Sequence, residues 1–312
     1  MRVLVTGASG WVGSAVVPLL LESGHQVVGL ARSDASASAL TAAGADVHRG
    51  DLDDLDGLRE AAAASEAVIH LAFKHDVAFS GDFAGALEAD RLAIETLGGE
   101  LAGSDRPFLI ASGTLGLASG RVATEADGQL STAAGGPDVG TPPNPRLANA
   151  QRVIALASEG VRSVVVRLPP TVHGDGDNGF MATLVAIARR SGVSAYVGDG
   201  SNRWPAAHRL DAAQVFRLGL EQAPAGTTLH AVADEGVPIR DVAEVIGRHL
   251  DLPVVSVAPQ EAEGHFSWLG GFIGADSPAS STATQALLGW QPTHPGLLDD
   301  LEAGHYFRPA EA

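Results

Sequence analysis

The chain has 312 residues, 37 acidic and 20 basic side chains, and a net charge of −17. That length suits one large domain or a domain with an appended lobe, and the charge argues against nucleic acid or an anionic membrane surface as a partner. It has no cysteine, so disulfides, thiolate metal sites and a cysteine nucleophile are excluded.

The chain opens with an apolar strand that runs into Gly7, Gly10 and Gly13. Residues 11–21 then repeat apolar side chains at helical spacing, which places the glycines at a helix N-terminus. Unpaired N–H groups and the positive end of the helix dipole converge there, and glycine lets a backbone approach a phosphate without a Cβ in the way. Strand, glycine turn and helix together form a dinucleotide-binding fingerprint, with Gly7, Ser9, Gly10, Trp11, Val12 and Gly13 as the cofactor turn. A second strand, 26–31, ends at Arg32 and Ser33, with the carboxylate displaced to Asp34. An arginine at this place accommodates the 2′-phosphate of NADP, whereas an acid binds the ribose of NAD. NADP(H) is therefore the favoured cofactor and NAD(H) the alternative.

Further strands are expected at 45–48, 67–72, 108–112 and 163–168, separated by helical patterns at 36–43, 54–64, 82–102 and 146–159. This alternation predicts a parallel sheet covered on both faces, an α/β Rossmann fold with a doubly wound sheet. Residues 118–145 have loop composition, and a connection of that length in a compact domain points to function. After residue 170 the pattern becomes irregular, with short strands at 195–197 and 228–232 and helices at 211–222 and 239–249. The expected division is a dinucleotide-binding domain over 1–170 and, over 171–312, mainly a smaller C-terminal substrate-binding lobe with crossings back to the sheet. No stretch approaches eighteen apolar residues, no metal-ligand spacing occurs, and a cytoplasmic protein acting on a small molecule is the expectation.

Several segments resemble the extended and atypical short-chain dehydrogenases/reductases, which include the NAD-dependent epimerase/dehydratases. They are Thr6-Gly-Ala-Ser-Gly-Trp-Val-Gly13, Gly50-Asp-Leu52, His70-Leu-Ala72, Ala111-Ser-Gly-Thr114, Arg167-Leu-Pro-Pro-Thr-Val-His-Gly174, Ala207-His-Arg-Leu-Asp-Ala-Ala213 and Leu288-Gly-Trp-Gln-Pro292. The resemblance implies that Asp51 and Leu52 bracket an adenine, and that Leu71, Ala72 and Phe73 line the ribose and pyrophosphate. It further implies that Pro169, Thr171 and Val172 run beside a nicotinamide, and that the protein forms a homodimer.

One departure matters. Members usually carry Tyr-x-x-x-Lys on the helix after the fifth strand, where this chain has Arg146 and Ala150. Arginine does not deprotonate at neutral pH, so the usual acid–base pair is missing. The candidates to replace it are the hydroxyls of Ser112 and Thr114, with Lys74, His173 and His208 as proton partners. Arg146 is a candidate anchor for an anionic substrate group. Tyr196, Trp204 and Trp268 are expected to line the substrate pocket, because large rings in glycine-rich loops often do. Three classes stay open: a reductase, a nucleotide-sugar epimerase or dehydratase, and a catalytically silent NADP-binding regulator.

Overall fold

The computed structural model describes residues 1–118, 120–128 and 145–308. Seven strands form one wholly parallel sheet: β1 (Arg2–Thr6), β2 (Gln26–Ala31), β3 (Asp46–Arg49), β4 (Ala67–His70), β5 (Pro107–Gly113), β6 (Arg162–Leu168) and β10 (Thr227–His230). Their spatial order is β10-β6-β5-β4-β1-β2-β3. The order reverses between β1 and β4, so a crevice opens at the carboxyl ends of these two strands, where open α/β sheets bind ligands.

Both faces of the sheet are buried, and successive residues feed opposite cores. Val3 and Val5 join Leu20, Val27 and Phe216 beneath the helices Gly13–Glu22 and Arg209–Gln222. Leu4 and Val28 join Leu58, Leu97 and Val153 beneath the helices Leu55–Ala63, Phe83–Leu101 and Pro145–Ala155. This two-sided burial is why these strands read as unbroken apolar runs. Helix starts are set by short polar side chains: Ser33, Asp54 and Asp82 accept from the backbone N–H of Ser36, Gly57 and Gly85 at 3.2, 3.0 and 2.9 Å.

The remaining strands are β7 (Thr171–His173), β8 (Ser194–Val197), β9 (Arg203–His208), β11 (Asp234–Pro238) and β12 (Val254–Val257), forming sheets β11-β9-β7 and β12-β8. A separate core there gathers Trp204, Phe266, Leu269, Val242 and Tyr306. The strand near 228 and the helix near 211 are crossings back to the large sheet. β10 pairs with β6, Thr228 opposite Val165, and Phe216 of the preceding helix lies in the sheet's core. Local periodicity gives an element's type but not the sheet it joins. The expected fourth strand also stops at His70, because the chain leaves the sheet there to form the rim of the crevice.

Candidate active site

Gly7 has φ +64°, and a Cβ on it would lie 2.7 Å from the backbone N of Ala72. A Cβ on Gly13 would overlap the carbonyl of Gly7. These two glycines let the first turn pack directly on the loop after β4. Gly10 donates to the Gly7 carbonyl at 2.9 Å, and Ser9 and Gly10 are exposed. Among the described residues no acceptor meets the backbone N–H of Trp11 or Val12. An exposed, Cβ-free rim with open amides at a helix N-terminus fits a dinucleotide pyrophosphate. Trp11 closes the far side, its indole N–H donating to the Val172 carbonyl at 2.8 Å while Arg209 lies 4.4 Å over the ring.

At the ends of β2 and β3, Arg32 pairs with Asp76 at 3.3 Å, and both side chains are largely exposed. Arg49 donates to the Ser33 carbonyl at 2.6 Å and pairs with Asp34 at 2.7 Å, so two guanidinium groups flank this corner. Asp51 accepts from the backbone N–H of Asp53 and Asp54 at 2.8 and 3.2 Å, shaping the loop that buries Leu52. Lys74 is held by both carboxylate oxygens of Asp53 at 2.6 and 2.5 Å. That ties it to the loop after Asp51 and Leu52.

Beside the crevice, Leu71 and Ala72 are fixed by Thr6, whose carbonyl and hydroxyl accept their N–H groups at 3.1 and 3.2 Å. The Thr6 hydroxyl meets His70 Nδ1 at 2.8 Å, His70 Nε2 meets Asp90 at 3.3 Å, and Asn149 donates to Asp90 at 2.7 Å. Burial pushes the Asp90 carboxyl up, but His70, Asn149 and the charge of Arg146 together hold it below the usual range. The glycine turn and the helix carrying Arg146 thus share one buried polar chain. Arg146 lies 4.5 Å over the Phe73 ring, and burial lowers its pKa while the Asp90 carboxylate opposes that shift.

Ser112 and Thr114 end β5, both buried, with Thr114 N–H donating to the Leu168 carbonyl at 3.0 Å. The Thr114 and Thr171 hydroxyl oxygens are buried with no protein partner. An unpartnered buried hydroxyl is costly, and these two sit just past the end of β5 and at the start of β7, where a ligand would satisfy them.

The two candidate histidines lie side by side. His173 is buried and bonds Asp300 at 2.9 Å, and His208 lies edge-on to it at 5.6 Å and stacks on His294 at 4.7 Å. Burial, with His173 and His294 next to it, pulls His208 down to about 4, and its Nδ1 accepts from the Leu210 N–H. At that value it carries no charge at pH 7. Asp211, of the same signature, grips the Thr293 and His294 N–H groups at 3.0 and 3.1 Å and so fastens the C-terminal segment. Neither tyrosine replaces the missing acid. Tyr306 donates to Asp177 at 2.9 Å with its pKa raised, mainly by burial and the Asp177 charge. Tyr196 lies under Arg240 at 4.8 Å.

The aromatic expectation is corrected. Trp204 is fully buried in the lobe core, where its N–H donates to the Ala275 carbonyl at 3.1 Å. Trp268 stays partly exposed, 5.4 Å from Phe180. The long connection over 118–145 lies largely outside the described residues. Among the described residues no cluster of metal-ligating side chains occurs, and no helix is long and apolar enough to cross a membrane.

The family model of the NAD dependent epimerase/dehydratase family matches residues 3–97. An uncharacterized protein of Schizosaccharomyces pombe is 46% identical over 308 residues, 98% of this chain and 100% of the relative. The chain belongs to the extended short-chain dehydrogenase/reductase family. Another relative, 2-alkyl-3-oxoalkanoate reductase of Stenotrophomonas maltophilia, is 29% identical over 272 residues, 83% of this chain and 78% of that one. The solved dTDP-glucose 4,6-dehydratase of Streptomyces venezuelae with NAD bound shares the fold, with TM-score 0.75 at 20% identity over 98% and 96% of the two chains. Within this family the chain departs at the acid–base helix, where it carries Arg146 and Ala150. Periodicity did not single out Asp90, Asn149 or Arg209. The one available signal for Arg209 was its place beside His208 in a family signature.

Proposed function

We propose that the chain is an NADP(H)-dependent reductase of a small carbonyl or related unsaturated substrate. The observation that carries this reading is the pairing of two sites across one crevice. Open backbone amides lie at the glycine turn, and the unpartnered hydroxyl of Thr114 lies at the end of β5. The nicotinamide, when bound, would supply a hydride. Thr114, with Ser112 beside it, hydrogen-bonds the substrate oxygen and stabilises the negative charge that develops there. The oxygen takes its proton from solvent, because neither tyrosine is placed to donate one and His208 is neutral. The relative named as an oxoalkanoate reductase supports a carbonyl substrate, and the dehydratase solved with NAD supports the cofactor class. The two guanidinium groups at the β2 and β3 ends support NADP(H).

Hydride transfer from NADPH to a panel of aldehydes, ketones and conjugated enones tests the activity. Thr114→Val should lower turnover about 100-fold with cofactor affinity kept, by analogy with removing one oxyanion donor. NADPH should bind about 10- to 100-fold more tightly than NADH, since a charge-assisted contact is worth about 1.5–3 kcal/mol, and Arg32→Ala should close most of that gap. Equal native affinities refute the NADP preference. Tight NADPH binding with no reduction across the panel replaces the reductase by a cofactor-binding regulator.

A further inference from the structure

Arg209 is the first residue of the helix Arg209–Gln222. A cation at that position opposes the helix dipole, whose positive end favours anions. Such a placement is normally offset by an acidic neighbour, and this chain has 37 acids to choose from. Yet Arg209 has no ion pair or hydrogen bond with any described residue. Asp211, in the same helical turn, is committed to Thr293 and His294, and His208 is turned to the Leu210 N–H and the His294 ring.

What holds Arg209 is the glycine turn. Its guanidinium carbon lies 4.4 Å from the centre of the Trp11 ring. That ring is fixed by its own 2.8 Å bond to the Val172 carbonyl. The stem of Arg209 runs past Gly174, whose φ of +142° admits no ordinary side chain and where a Cβ would sit 3.5 Å from Arg209 Cγ. Stacking uses the face of a guanidinium and leaves its edge N–H donors free. Trp11 also carries one of the two open backbone amides of the turn, so one residue joins the cation to the amides.

We propose that Arg209, seated on Trp11, is a charged contact for the pyrophosphate of the bound dinucleotide. The inference rests on the dinucleotide reading of the glycine turn and adds a residue from the second half of the chain to it. A chain with a net charge of −17 repels a ligand carrying two or more phosphate charges unless cations stand beside its phosphates, and Arg32 and Arg49 lie at the ribose corner rather than at the glycine turn. Arg209 supplies the opposing charge and locks the helix after β9 against the turn when the ligand is in place.

The test measures the affinities of NADPH and NADH for the full chain, with inorganic pyrophosphate as a competitor. It also records thermal midpoints without and with NADPH. Arg209→Gln should weaken NADPH and NADH by the same factor, about tenfold, and weaken pyrophosphate competition, whereas Arg32→Ala weakens NADPH alone. The ligand-free midpoint of Arg209→Gln should fall only slightly, because one ring stack but no protein ion pair is lost, and the NADPH-induced rise should shrink. Arg209→Lys, which keeps the charge, should recover part of the affinity. Unchanged affinity for both dinucleotides in Arg209→Gln overturns the proposal, as does a loss confined to NADPH or a loss matched by a large fall in the ligand-free midpoint. Failure of the native chain to bind either dinucleotide would instead overturn the reading on which the proposal rests.

Discussion

Arg146 and Arg209 invite comparison, because the two sides of the crevice present the same device. Each begins a helix or lies in its first turn, and each guanidinium stacks on an aromatic ring, 4.5 Å over Phe73 and 4.4 Å over Trp11. They differ in what stands behind them. Arg146 feels the buried Asp90 carboxylate, itself anchored by His70 and Asn149, while Arg209 has no described carboxylate near enough to pair. A guanidinium balanced by a fixed acid is a permanent part of the protein. One left unbalanced in a strongly acidic chain is stabilised when an anion arrives.

The comparison also separates the tryptophans. Trp204 fills the lobe core, so Trp204→Ala should cost about 3–5 kcal/mol in chemical denaturation. Trp11→Ala should cost far less stability and show its effect in dinucleotide affinity. If Trp204→Ala folds normally and loses only substrate binding, the lobe core is wrongly drawn. Next in size is Asp90→Ala, expected to destabilise by about 3 kcal/mol, because it strips partners from buried His70 and Asn149. A double-mutant cycle with Arg146→Met should then show coupling of about 0.5–3 kcal/mol, and additivity would remove Asp90 as the counter-charge.

The smallest expected effect is on pH. His208 titrates near 4 in the fold and near its ordinary value when unfolded, so between these limits the unfolded chain binds the extra proton. Its contribution is complete above about pH 6.5 and is lost as pH falls toward 4. The midpoint of His208→Asn, whose side chain still caps the helix, should fall less than that of the native chain between pH 7 and pH 5. Equal slopes would show that His208 already ionises freely in the fold.

The sheet and its glycine turn were legible because burial on both faces leaves apolar runs, and because Gly7 and Gly13 stand where any Cβ would strike backbone. The missing tyrosine was equally legible, being a matter of which residue occupies one helical position. The partners that decide roles were not. Lys74 meets Asp53 across 21 residues, His173 meets Asp300 across 127, and Asp211 meets His294 across 83. Such pairings are made by topology, and no spacing along the chain encodes them. Trp204 misled for a related reason: a ring next to glycines reads as a loop residue until β9 is seen to carry it into the lobe core.

The bond between Lys74 and Asp53 has a practical side. Lys74 is the chain's one lysine, so its side-chain amine is a unique chemical handle, and 23% of that side chain reaches solvent. An amine-reactive dye attached there would sit at the rim of the crevice, one residue from the Phe73 ring that carries Arg146. Its emission would report dinucleotide entry in real time, without a cysteine having to be introduced.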